Sequence, residues 1–298
     1  MGRSNLTVVT GARAERILFE GSRAIGIAYR RGRVAVTVSA RREVIVSSGA
    51  FGSPQLLMLS GIGPGAELQK HGIEVRLDLP GVGQNLQDHL DFVIATRSRE
   101  TDTVGIGARG ALHIMRELLR WRRDGTGMIA TPFAEGGAFV RSEPGLPAPD
   151  LQLHFVLGLL DDHARRLHPG YGYSCHVCAL RPHSRGTVGL TSPDPTADPR
   201  IDPRFLSDPR DAVLMVGGVR KMLAVLRAPS LAKCRTRDLY PLKDDSEAEI
   251  LSHIRARADT IYHPIGTCKM GIDVLSVVDP ELRVRGIDGL RVVDASVM

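Results

Sequence analysis

Aromatic residues are scarce in this chain of 298 residues, which has one Trp, five Tyr and seven Phe. Platforms that bind single-stranded nucleic acid stack bases on aromatic side chains. Few aromatics here stand near basic residues, so a net charge of +6 does not by itself indicate a nucleic-acid partner, and none is expected. Long apolar runs are absent too. No stretch approaches the roughly 18 uncharged apolar residues of a membrane span. The opening residues MGRSNLTVVTGARAERILF contain no apolar signal-peptide core. Cysteine is limited to Cys175, Cys178, Cys234 and Cys268. The expectation is a cytoplasmic protein with reduced thiols. The run Cys175-His176-Val177-Cys178 has metal-like spacing, but no second pair accompanies it and zinc takes four ligands. On a strand its two sulfurs also point to opposite faces. No metal is expected.

What remains is ordinary soluble-protein composition punctuated by 32 Gly and 18 Pro. No low-complexity tract accompanies them, so they signal turns rather than disorder. Short strands are expected at 6–10, 15–19, 24–30, 34–39 and 43–47, separated by Gly11, Glu20-Gly21-Ser22 and Arg31-Gly32. Ser53-Pro54 reads as an N-cap followed by a first-turn proline, and Gly61 as the stop of that helix. A short helix is expected over 64–71. Further strands are expected at 75–79, 92–96, 137–140, 151–157, 173–180, 187–191 and 290–294. A long amphipathic helix fits 208–227, with Val216, Val219, Leu223 and Leu226 on one face and Ser207 as its cap. Another fits 247–258, where Ser246 and Glu249 have capping-box spacing. The basic run Arg116, Arg120, Arg122 and Arg123 around Trp121 reads as a helix face in solvent, with a membrane surface as the alternative.

The densest chemistry lies at 44–65, where a strand, a glycine turn and a helix N-terminus make an anion cradle. Gly49 and Gly52 would let a ligand approach the backbone closely. The sequence GAFGSPQLLMLSGIGP resembles the second signature of the glucose–methanol–choline (GMC) oxidoreductases. Further matches follow in order. They are Gly81-Val82-Gly83-Gln84-Asn85-Leu86-Gln87-Asp88-His89, Pro149–Phe155, Ser184–Val188, Pro199–Pro203, Tyr262–Gly271 and Leu290–Ser296. The flavour is nearest to the choline-dehydrogenase-like members. The resemblance implies FAD-dependent oxidation of a primary alcohol, choline-like or broadly aliphatic or aromatic. A base takes the hydroxyl proton and the flavin takes hydride. His263 matches the family's catalytic histidine. An imidazole with an ordinary pKa of about 6.5 can accept a proton at neutral pH, and Pro264 biases the residue before it to an extended backbone. Gly49 and Ala50 match the turn beside the cofactor. Asn85 lies with His89 near its cover, and Asp294 and Ala295 match residues whose backbone lies near the flavin. Ala14 stands where the family often has Val.

Two departures shape the remaining expectations. The family opens with a strand and a GxGxxG loop for the FAD pyrophosphate, and no such unit is read here. The family's second active-site residue, His or Asn, follows shortly after a stretch matching Asp294-Ala295-Ser296. The expected fold class is therefore α+β: an antiparallel-sheet substrate-binding domain with helices, plus remnants of an interrupted FAD-binding α/β domain. Residues 1–88 and 263–298 would belong to the FAD domain and 89–262 to the substrate domain. The chain is expected to be truncated, inactive alone, and helped by a companion chain that supplies the rest. The electron acceptor, quinone or oxygen, stays open. A different reading is a non-catalytic folded remnant serving as a binding or assembly module.

Overall fold

Alternating apolar and polar residues on either side of two glycine turns give a three-stranded antiparallel meander, Ala12–Glu20, Arg23–Arg31 and Val34–Ser39. Gly21 and Gly32 turn with φ of +54° and +58°, a conformation that favours glycine. In the computed structural model, which describes residues 3–298, this meander belongs to one of two compact units. The first unit gathers the chain up to Asp88, then Ser184–Phe205 and His263–Met298. The second gathers His89–His183 and Leu206–Tyr262. The segment Ser184–Phe205, which sequence order keeps inside the middle stretch, thus packs with the outer ones.

In the first unit the strand Val44–Val46 pairs in parallel with Leu290–Val292, although almost 250 residues separate them in the chain. The helix Gly49–Leu59 follows directly. Its buried face of Leu56, Leu57, Met58 and Leu59 joins Ile62, Leu68, Val82, Val278, Leu290 and Val292 in one apolar core. Two sequence expectations fail here. Residues 6–10 form no strand. The helix begins at Gly49 rather than after Ser53, and Pro54 lies within its first turns. Pro54 has no N–H for the Ala50 carbonyl one turn back, and the Thr267 hydroxyl bonds that carbonyl instead.

The second unit is built on one antiparallel sheet. Its order is Arg235–Asp238, Leu90–Ser98, Gly172–Ala179, Leu151–Val156, Gly136–Val140, and Asp259–Thr260 also pairs with Leu90–Ser98. Every residue of Gly172–Ala179 is buried, so the strand is covered on both faces. The helix Pro209–Leu226 packs against it and against Glu247–Arg257, burying Met215, Val219, Met222, Leu226, Ile250 and Ile254. Asp208, not Ser207, caps the first of these helices by accepting the Arg210 N–H. Ser246 caps the second through the Glu249 N–H, as its capping-box spacing suggests.

The helix Ala108–Asp124 carries the basic run and corrects one absence. Gly105, Gly107 and Gly110 do have GxGxxG spacing at a helix start. Sterics occupy these glycines instead. A Cβ on Gly105 would fall 2.3 Å from the Tyr171 ring, and one on Gly110 would fall 1.9 Å from the Gly105 carbonyl oxygen. No named strand leads into this turn. It is a packing device without the strand–loop–helix context that gives the motif its meaning.

Adjacent glycines in the Pro209–Leu226 helix should respond oppositely to alanine. A Cβ on Gly217 would meet nothing within 4 Å, whereas one on Gly218 would lie 2.9 Å from the buried Val177 side chain and 3.0 Å from Leu151. Gly217→Ala is expected to stabilise by about 0.5–1 kcal/mol. Gly218→Ala is expected to destabilise by about 1–3 kcal/mol through overpacking. Urea unfolding of both variants checks the sign.

Candidate active site

Five of the six residues singled out from the sequence are joined in one hydrogen-bonded cluster in the first unit. Asp294 is its anchor. One carboxylate oxygen accepts the Gly49 N–H at 3.0 Å and the Ser53 hydroxyl at 2.5 Å; the other accepts the Ser296 N–H at 2.8 Å. The Ser53 oxygen in turn accepts the Ser48 N–H at 3.0 Å. A carboxylate at a helix start is favoured by the orphan N–H groups and the positive end of the helix dipole. Here it comes from the far end of the chain, delivered by the Leu290–Val292 strand.

The same turn is held from a second side. Thr267, fully buried, donates its hydroxyl to the Ala50 carbonyl at 2.5 Å. Gly266 donates its N–H to the Ala295 carbonyl at 3.2 Å, and its own carbonyl accepts the Asn85 side-chain amide at 3.1 Å. Asn85 has φ of +63° and Gly266 has φ of +90°. A Cβ on Gly266 would fall 2.6 Å from the Asn85 carbonyl oxygen, so only glycine allows this approach. Cys268, two residues on, is fully buried, and burial pushes its thiol up to about 12. It is therefore not a thiolate nucleophile at neutral pH.

His263 opens the returning segment. Its backbone N–H donates to the buried Asp88 carboxylate at 2.9 Å. Gln87 and Ile265 exchange backbone hydrogen bonds of 3.1 and 2.9 Å. The residue itself is exposed. Sequence reasoning noted Asn85 and His89 in the GVGQNLQDH stretch but passed over Asp88, Ser53 and Thr267. Asp88 had a signal, since it lies inside a quoted motif. Ser53 was read as a helix cap and proves to be the partner of Asp294.

The second unit holds a separate acidic network. Asp161, almost fully buried, accepts from His168 Nε2 at 2.7 Å, the Tyr240 hydroxyl at 2.9 Å and Arg257 at 2.8 Å. Burial alone would raise its carboxyl pKa, but the bonds from His168 and Tyr240 and the attraction of Arg257 outweigh that and hold it below the usual value. Cys175, in the central strand, is raised to about 12 by burial. Cys175 and Cys178 are free thiols, and no group of His, Cys, Asp or Glu able to hold a metal occurs among the described residues.

Residues 1–91 and 182–298 match the N- and C-terminal models of the GMC oxidoreductases. The chain belongs to the GMC oxidoreductase family. It is 45% identical over 303 residues to an alcohol dehydrogenase [acceptor] of Pseudomonas putida, covering 99% of this chain and 54% of that protein. It is 43% identical to an oxygen-dependent choline dehydrogenase of Burkholderia ambifaria, covering 100% of this chain and 52% of that one. A formate oxidase of Aspergillus oryzae, studied for modification of its FAD, superposes with a TM-score of 0.91 at 27% identity, over 100% of this chain and 57% of its own. The chain thus spans about half the length of the curated relatives it matches.

Replacing Asp294 by Asn should loosen the whole turn. One carboxylate serves three donors, and an amide cannot accept from all of them. A loss of about 1–3 kcal/mol is expected. Thermal unfolding with Ser53→Ala as comparison measures it; an unchanged melting temperature in Asp294→Asn would refute the anchoring role.

Proposed function

We propose that this chain carries the flavin-ring side and the substrate side of an FAD-dependent alcohol oxidation, with His263 as the base. The observation that carries the reading is the cluster around Asp294, which holds Gly49, Ala50 and Ala295 together. The residues suit the cofactor. Gly49 has φ of +80°, and a Cβ built there would meet nothing within 4 Å, so a planar ring can approach the backbone. The start of an 11-residue helix adds N–H groups and a favourable dipole. Gly49, Ala50, Asn85, Asp294 and Ala295 would hold the ring end. When bound, FAD supplies the acceptor for the hydride.

The protein's own work is then placement and proton transfer. The His263 imidazole accepts the hydroxyl proton of the alcohol. Asp88 fixes the backbone from which that imidazole projects, through the 2.9 Å bond to the His263 N–H. Asn85 and Thr267 hold the turns on either side, so the base and the helix start keep their spacing as the substrate changes charge. The acceptor that reoxidises the flavin is a quinone or oxygen.

The test is a titration of the chain with FAD, FMN and riboflavin, followed by primary alcohols. Contacts at the ring end alone predict similar affinities for the three flavins. Primary alcohols should bleach the bound flavin when a companion chain completes the FAD domain, and not with this chain alone. His263→Ala should keep flavin affinity and slow bleaching by about 10²–10⁴-fold. Bleaching that survives in His263→Ala at full rate would remove the histidine from the mechanism.

A peripheral membrane contact is also proposed, through the helix Ala108–Asp124. Leu112, Met115 and Leu119 are each more than half exposed, and Trp121 nearly so; Arg116, Arg120, Arg122 and Arg123 flank them. No helix among the described residues is long and apolar enough to cross a membrane, so the contact would lie in the interface. Co-sedimentation with phosphatidylglycerol vesicles but not with phosphatidylcholine vesicles is expected, and loss of that preference in Arg116→Glu/Arg120→Glu checks the face.

A further inference from the structure

A cavity of about 200 Å³ lies over the antiparallel sheet of the second unit. Its floor is Asp91 and His176, from adjacent strands, and its walls include Asp161, Asp162, Arg257 and Asp259. The wall charges are matched within the unit. Asp161 faces Arg257 at 2.8 Å, Asp162 faces Arg165 at 2.9 Å, and Asp259 faces Arg165 at 3.1 Å. The floor differs. Asp91 Oδ2 lies 2.6 Å from His176 Nδ1, and both residues are more than nine-tenths buried. Asp91 Oδ1 and His176 Nε2 are buried polar atoms without any hydrogen-bond partner.

With the Asp91 carboxylate ionised and the His176 ring neutral, both atoms are acceptors. An ionised carboxylate only accepts, so Nδ1 carries the hydrogen of the short bond and neutral imidazole leaves a lone pair on Nε2. Two unpaired buried acceptors are costly unless a donor meets them. The Asp91 carboxylate meets the His176 ring through one oxygen and has no partner on the other, which favours a cationic donor. A cavity of this volume has room for several non-hydrogen atoms, since one water takes about 30 Å³ of liquid.

We propose that the Asp91–His176 floor binds the protonated nitrogen of a small primary or secondary amino alcohol, through N–H donation to Asp91 Oδ1 and His176 Nε2. The cavity lies wholly within the second unit, and binding there does not depend on the alcohol-oxidation reading. A quaternary ammonium is disfavoured here because it has no N–H to give. The binding step is independent of flavin, so it can be tested without turnover.

The experiment follows the histidine ring signals of the full chain by ¹H–¹⁵N correlation while ethanolamine, diethanolamine, choline, propanol and acetate are added separately. The His176 signals are assigned by their loss in His176→Gln. Ethanolamine and diethanolamine should shift the His176 Nε2 signal and bind at least tenfold more tightly than choline or propanol. Asp91→Asn should weaken amine binding at least tenfold. Equal binding of choline and ethanolamine, preference for acetate, or no shift with any amine (a floor that holds water only) would each overturn the site. The comparison of ligands on the unaltered chain needs no variant, so a poorly folding Asp91→Asn does not remove the test. If amino alcohols bind at His176 but never bleach flavin, the site stands and the oxidation reading falls; if propanol bleaches flavin without amine preference at His176, the reverse holds.

Discussion

The Asp294 carboxylate is the constraint on which the first unit depends. Its oxygens take the Gly49 and Ser296 N–H groups and the Ser53 hydroxyl, binding a helix start to the end of a strand some 245 residues away in the chain. The parallel pairing of Val44–Val46 with Leu290–Val292 brings the two ends side by side. The carboxylate then sets their register at the turn. Apolar packing behind it, with Leu57, Met58, Val278 and Val292 buried, supplies most of the stabilisation, because burial of each such side chain is worth about 1.5–3 kcal/mol. The hydrogen bonds add less energy but more direction.

From that anchor the geometry of the turn spreads outward by short links. Thr267 ties the Ala50 carbonyl, Gly266 ties Ala295, and Asn85 ties Gly266. Each link uses a backbone group that would otherwise be buried without a partner. Asp88 does the same for the His263 N–H. The chain first leaves the first unit after Asp88 and last re-enters it at His263, so one hydrogen bond joins its first departure and its final return. A histidine placed at such a junction has its backbone direction fixed even though it is exposed.

The second unit handles polarity differently. Its sheet buries Gly172–Ala179 completely, and with it the His176 imidazole and, on the neighbouring strand, the Asp91 carboxylate. The network around Asp161 is saturated by His168, Tyr240 and Arg257, and its depressed carboxyl pKa follows from those donors outweighing burial. The pair Asp91 and His176 is left with two acceptors facing a cavity. The Asp161 network is closed by its own donors, whereas the Asp91–His176 pair keeps two polar atoms without partners.

Much of this could be read from residue order. Glycine turns and alternation located the meander, capping-box spacing located the helix after Ser246, and four separate motifs singled out Gly49, Ala50, Asn85, His263, Asp294 and Ala295. Such features are local, and local sterics and periodicity act within a few residues. Other features needed the folded chain. Ser53 looked like a cap until Asp294 arrived to bond it, because a partner 241 positions away leaves no local trace. The spacing Gly105–Gly110 looks like a phosphate loop, yet Gly105 is claimed by Tyr171 and Gly110 by the Gly105 carbonyl. His176 sat in a run that suggested only cysteine chemistry, and its pairing with Asp91, 85 positions earlier, exists because two antiparallel strands place them side by side. Residue types and their spacing settle what each segment can form; long-range pairing settles which polar atoms find partners and which are left facing a cavity.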